Sequence, residues 1–140
     1  MTDAPQPGLR SYIVYDELPA GCIVYENRRR SVGPHVHTGE FAVVDPTDRD
    51  PMHGELFLIE WESTGTRQLV EMMERDRNGS EHRWYAVTTQ QMMSLAGFPS
   101  GPTRWGDGPY REPDMRKKLV GRVIGVYQPD FRQALEGRAA

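Results

Sequence analysis

The stretch "GELFLIEWESTGTRQLVEMMERDRNGSEHRWYAVT", residues 54–88, decides the fold. Residues 55–62 (ELFLIEWE) are apolar with little alternation, which suits a strand buried on both faces. The segment STGT (63–66) supplies a hairpin loop and leads into RQLVEMMER (67–75). Then Asn78-Gly79 follows, the strongest short hairpin signal, because both residues tolerate positive φ. HRWYAVT (82–88) is the returning strand. The prediction is a three-stranded antiparallel meander with no helix within residues 55–75.

Working outward, the same grammar continues. Residues 11–15 (SYIVY) and 22–25 (CIVY) are rich in β-branched and aromatic residues and flank a Leu18-Pro19-Ala20-Gly21 turn. FAVVD (41–45) is an apolar strand stopped by Pro46, and LVGRVIGVY (119–127) is a late strand. TTQQMMSLAG (88–97) is expected to be a short helix capped by Thr88 or Thr89, and PDFRQALEGR (129–138) a terminal one. Residues 98–116, with four prolines and several glycines, are expected to be a loop. The expectation is a mostly β fold: a twisted, partly closed antiparallel structure with one or two short helices. Residues 1–10 are expected to be a flexible N-terminal tail, and residues 11–140 a single domain.

Composition narrows the function classes. The chain has 140 residues and a net charge of −3, which gives no global attraction to nucleic acid or an anionic membrane. No run approaches the length of a membrane span. The single cysteine, Cys22, leaves no internal disulfide framework and implies a reducing, cytoplasmic setting. Arg28-Arg29-Arg30 reads as a solvated strand end balanced by Asp16, Glu17 and Glu26. Without a recognition helix it gives no reason to expect direct nucleic-acid binding.

The ordered series Ser31-Val32-Gly33-Pro34, Val36, Gly39-Glu40, FAVVD and Gly54-Glu55 opening LFLIE carries further information. It resembles the C-terminal peptidase domain of LexA, UmuD and related phage repressors. That family has Ser-Met-x-Pro, then Gly-Asp, an apolar strand ending in Val-Asp, and a second Gly-Asp before another strand. LVGRVIGVYQP is similar to the family's closing Gly-Arg-Val strand. The likeness covers roughly residues 25–88 and 117–129, and it implies the LexA-peptidase-like type of β fold. By this resemblance Ser31 takes the nucleophile position, Pro34 the motif proline, and the two Gly-Glu pairs the two Gly-Asp pairs.

The family's chemistry needs a base, because a serine hydroxyl is a poor nucleophile until its proton is removed. The family uses a lysine kept neutral by burial, in a Val-Lys-Arg-Leu-like strand after the second Gly-Asp hairpin. In this chain Glu71 takes that position, or Gln68 if the hairpin is counted without its extra residues. Of the 17 basic residues only Lys117 and Lys118 are lysines, and both are expected in the last strand, not in that one. Arg30 also stands where the family usually has aspartate, and Gly33 replaces an acidic or polar residue. Ala20-Gly21 matches the composition of the family's self-cleaved bond, but reads better as a turn.

Three readings follow. The first is a non-catalytic LexA-peptidase-like domain acting as a dimerisation or regulatory binding module. The second is an active serine hydrolase or self-cleaving peptidase using Ser31 with Glu71 or a histidine as base. The third is an unrelated small β domain. Among the histidines (His35, His37, His53, His82), His35 and His37 share one face if extended, but no spacing assembles a metal site, so no metal or cofactor is expected. Two interaction surfaces are expected. The apolar strand within residues 119–135 is assigned to a homodimer, since it needs cover on both faces. Phe98, Trp105 and Tyr110 in the 98–116 segment offer anchors for a protein partner.

Overall fold

A computed structural model describes residues 12–28, 36–77, 81–93 and 99–129. Among them run β1 (Ile13–Tyr15), β2 (Ile23–Glu26), β3 (Phe41–Asp45), β4 (Leu56–Glu60), β5 (Arg67–Arg77), β6 (Glu81–Met93), β7 (Pro99–Tyr110), α1 (Glu112–Lys118) and β8 (Leu119–Tyr127). The strands form one mostly antiparallel sheet in the order β2-β3-β8-β4-β5-β6-β7. The exception is β1, which lies parallel to β8 beyond the stretch that pairs β4.

The meander holds. β4 pairs β5 from Leu56↔Glu71 to Glu60↔Arg67, and β5 pairs β6 from Glu71↔Val87 to Arg77↔Glu81. The turn between β4 and β5 is closed by Gly65 N and Thr64 N donating to Trp61 O, at 2.7 and 3.3 Å. Residues 78–80, which carry the Asn-Gly signal, lie outside the described residues.

Side chains alternate across the strands, so β4 serves two cores. Phe57 and Ile59 join Val70, Met72, Trp84, Ala86, Leu119 and the helix residue Met115 on one face. Leu56 and Leu58 join Val36, Ala42, Val44, Val123 and Val126 on the other, with Tyr25 and Leu69 packed against them. This second face is concave. Tyr25 Oη donates to Arg67 O at 2.9 Å, from β2 to β5. Four inter-strand gaps separate those strands along the sheet, about 19 Å if it lay flat. The sheet therefore coils deeply without closing, and its edges are protected by other means: β2 is short, and β7 carries Pro99, Pro102 and Pro109.

Two expectations need correcting. Thr88–Met93 is not the start of a helix but the continuation of β6, held by pairing to β7, while residues 94–98 lie outside the described residues. Residues 99–116, the described part of the expected 98–116 loop, are not a loop. They form β7, an edge strand where proline is tolerated because one side of the backbone needs no partner, and then α1. The helix has Pro113 in its first turn, Glu112 and Asp114 beside its N-terminus, and Arg116, Lys117 and Lys118 in its last turn. Arg49 caps its end, donating from Nε to Leu119 O and from Nη2 to Arg116 O at 2.9 and 2.8 Å. The last strand, β8, lies in mid-sheet, between β3 on one side and β4 and β1 on the other. Its residues Leu119, Val123 and Val126 are buried in the two cores of the sheet. Residues 130–135, with the rest of the expected terminal helix, lie outside the described residues.

Candidate functional site

The segment that holds Ser31 is pinched at its neck. Asn27 is buried, and its Nδ2 donates to Val36 O at 3.2 Å. Its backbone N–H donates to Glu40 O at 2.9 Å, and its carbonyl accepts from Gly39 N at 2.6 Å. Gly39 adopts φ +89°, which favours glycine, and the Glu40 carboxylate accepts from His37 N at 2.7 Å. The first Gly-Glu pair thus builds the turn that closes the neck. The second builds another: Gly54, at φ +83°, donates to Met72 O at 2.7 Å, and Glu55 O accepts from Met72 N at 2.9 Å. Residues 29–35, including Ser31 and His35, lie outside the described residues.

Val36, at the foot of this segment, is buried in the concave core beside Leu69 and Leu56. That fixes which β5 side chains share its face. Glu71, opposite Leu56 and two residues from Leu69, is on the face of Val36 and is half-buried. Gln68 is on the opposite face, 8% exposed, where its Oε1 accepts from Trp61 Nε1 at 2.9 Å. The two candidate positions are therefore not equivalent: Glu71 shares the side of the sheet that buries Val36, and Gln68 supports an indole on the other.

The lysines are elsewhere. Lys117 and Lys118 line an open cleft of about 600 Å³ with Glu60, Glu62, Tyr110 and Asp114. It belongs to the side of the sheet covered by α1, across from Val36. Lys118 Nζ stands 4.8 Å from the centroid of the Tyr110 ring, a cation–π contact. Tyr110 Oη donates to Asp107 Oδ2 at 2.6 Å. That bond, with burial and the Asp107 charge behind it, pushes the Tyr110 phenol up to about 12. The neutral phenol is thus favoured by folding, and its contribution is complete below the ordinary tyrosine value of about 10. It is lost as pH rises through about 12. In a spectrophotometric alkaline titration one tyrosine should ionise late, and Tyr110→Phe should remove that late step.

The described histidines have other partners. His53 Nδ1 accepts from Glu74 N at 2.9 Å, and His82 Nδ1 meets Glu74 Oε1, so both converge on a β5 residue beyond Glu71. His37 is exposed in the turn before Gly39. Among the described residues, no group of three or more His, Cys, Asp or Glu side chains is placed to hold a metal. Burial, then the nearby Asp45 charge, raises the Cys22 thiol, which leaves it less thiolate and less nucleophilic than an ordinary cysteine.

The 98–116 aromatics part company. Trp105 is 56% exposed, whereas Tyr110 packs against the helix-side core; Phe98 lies outside the described residues. Sequence reasoning misses the cleft because Lys117 and Lys118, expected in the last strand, stand on α1, whose first five residues fall in the expected 98–116 loop. Pro113 among first-turn acids, followed by last-turn bases, was the available signal. Among the described residues, no helix is long and apolar enough to cross a membrane. No family model, no curated protein and no solved structure matches this chain.

Proposed function

We propose that this chain is a LexA-peptidase-like domain without a catalytic base, serving as a dimerisation or regulatory binding module. The observation that carries the reading is the placement of the lysines. Both stand on α1, across the sheet from Val36 and Glu71. On the side of the sheet that buries Val36, β5 offers a carboxylate, a poor acceptor for a serine's proton.

The test is alkaline incubation of the purified protein. The family's reaction speeds up as its lysine loses a proton. Without that lysine, the chain should remain intact at Ala20-Gly21 even at about pH 10, should have the same fragment pattern as Ser31→Ala, and should not label with a fluorophosphonate. Glu71→Lys is the complementary change. If the surrounding apolar residues keep that amine neutral, Ser31 should gain reactivity toward the probe. Spontaneous cleavage abolished by Ser31→Ala would instead establish a working serine hydrolase that uses Glu71 or a histidine.

A further inference from the structure

We infer that the outer part of the β6–β7 ribbon is a docking arm that pairs, edge to edge, with the same ribbon of a second copy of this chain. The inference gives the proposed binding module its partner and rests on that reading.

The sheet forks at Val87. From Trp84 to Val87 β6 lies between two strands, with β5 as far as Glu71↔Val87 and with β7 from Trp84↔Tyr110. Beyond it, Thr88–Met93 pairs with β7 alone among the described strands, from Thr88↔Trp105 to Met93↔Pro99. The neighbouring stretch of β5, Arg67–Val70, stays with β4. The ribbon therefore leaves the sheet as two strands, an arrangement marginal in water. Among the described residues, the other edge of Thr88–Met93 meets no strand, and its backbone donors and acceptors need partners.

The sequence protects the β7 and β2 edges and not this one. β7 carries Pro99, Pro102 and Pro109, and β2 is four residues long. Thr88–Met93 has no proline. Residues 88–103 contain no Asp, Glu, Lys or Arg, in a chain that is 26% charged. An edge without charge or proline is a template for another strand.

A second copy fits that template best. Antiparallel pairing about a two-fold axis sets each strand against itself, and an uncharged Thr-Thr-Gln-Gln run does so without like-charge repulsion. Trp105, exposed at the base of the ribbon opposite Thr88, adds an aromatic surface that such an interface would cover. A lipid surface would suit an uncharged segment, but it has no groups to satisfy an open strand edge.

The experiment is sedimentation velocity of the full-length protein across a concentration series. A concentration-dependent dimer is expected. Thr89→Lys with Gln91→Lys should weaken it at least about tenfold by placing like charges opposite one another, with the thermal midpoint of the monomer unchanged. Should the charged variant fold poorly, Gln91→Cys in a Cys22→Ser background gives a second readout, a disulfide-linked dimer under mild oxidation. A dimer that tolerates the ribbon changes but dissociates on Gln128→Lys would overturn the arm and leave the binding module standing. A monomer at every soluble concentration, or binding to phosphatidylcholine vesicles that the lysine pair abolishes, would overturn it as well.

Discussion

Gly121→Ala will destabilise this protein by about 3 kcal/mol or more, the upper range for forcing atoms into a filled interior. A β-carbon at that position would lie 2.3 Å from Asp45 O, 2.7 Å from Asp45 C and 2.9 Å from Pro46 Cα. All three are backbone atoms, so no side chain can swing aside. Retreat of Asp45 would drag the turn after β3, where Arg122 N donates to Asp48 O at 3.0 Å and the Arg122 guanidinium meets Asp48 Oδ2 at 2.7 Å. Equilibrium urea unfolding should show the loss as a lower midpoint. Gly125 makes an instructive contrast, since a β-carbon there would meet Ile13 O at 2.4 Å. The obstacle belongs to β1, three residues at the margin of the sheet, which can detach alone. Hydrogen exchange in Gly125→Ala should therefore rise in β1 while β4 and β5 keep their protection.

Phe57→Ala carries the second large effect, about 3–5 kcal/mol. The ring is fully buried, and its strand neighbours are Val70 on β5 and Arg122 on β8. Met72, Met115 and Trp84 fill the same core. Strands on both sides hold the backbone in place, so the cavity cannot collapse and the lost contacts are not recovered. The urea midpoint should fall with the slope of the transition unchanged. Phe41→Ala is the control: the same substitution at a side chain 39% exposed should cost far less.

These magnitudes depend on strands that were readable without coordinates. Phe41–Asp45 and Leu119–Tyr127 coincide with the apolar runs that announce them, and Leu56–Glu60 falls within its own. Each is a short β-branched or apolar run buried from both sides, bounded by turn residues. What failed was the reading of segments whose conformation is set by a neighbour. Thr88–Met93 has helix-compatible residues and a capping threonine, but its backbone bonds go to β7. The prolines of residues 99–110 argue against a central strand and are compatible with an edge one. The parallel contact of β1 with β8 joins residues over a hundred positions apart, beyond the reach of local pattern.

The candidate site divides in the same way. The two Gly-Glu pairs were legible as motifs, and the turns they build account for their composition. The roles of Glu71 and Gln68 were not, because a two-residue period assigns faces only once register is known. Glu71↔Leu56 and Gln68↔Ile59 supply it.

The mid-sheet position of β8 also dictates an order of events during synthesis. β2 and β3 form one unit, and β4 through β7 another; among the described residues no strand of the first is paired with a strand of the second, and β8 lies between them. Until residues 119–127 emerge from the ribosome, the β3 and β4 edges that will later receive β8 have no partner within the chain. The nascent polypeptide is then two apolar half-sheets waiting for a wedge. Contacts of such wide sequence separation form slowly, and exposed edges are prone to pair with other chains meanwhile. A premature stop before residue 119 would therefore yield not a smaller version of this fold but two half-sheets without the strand that pairs with both.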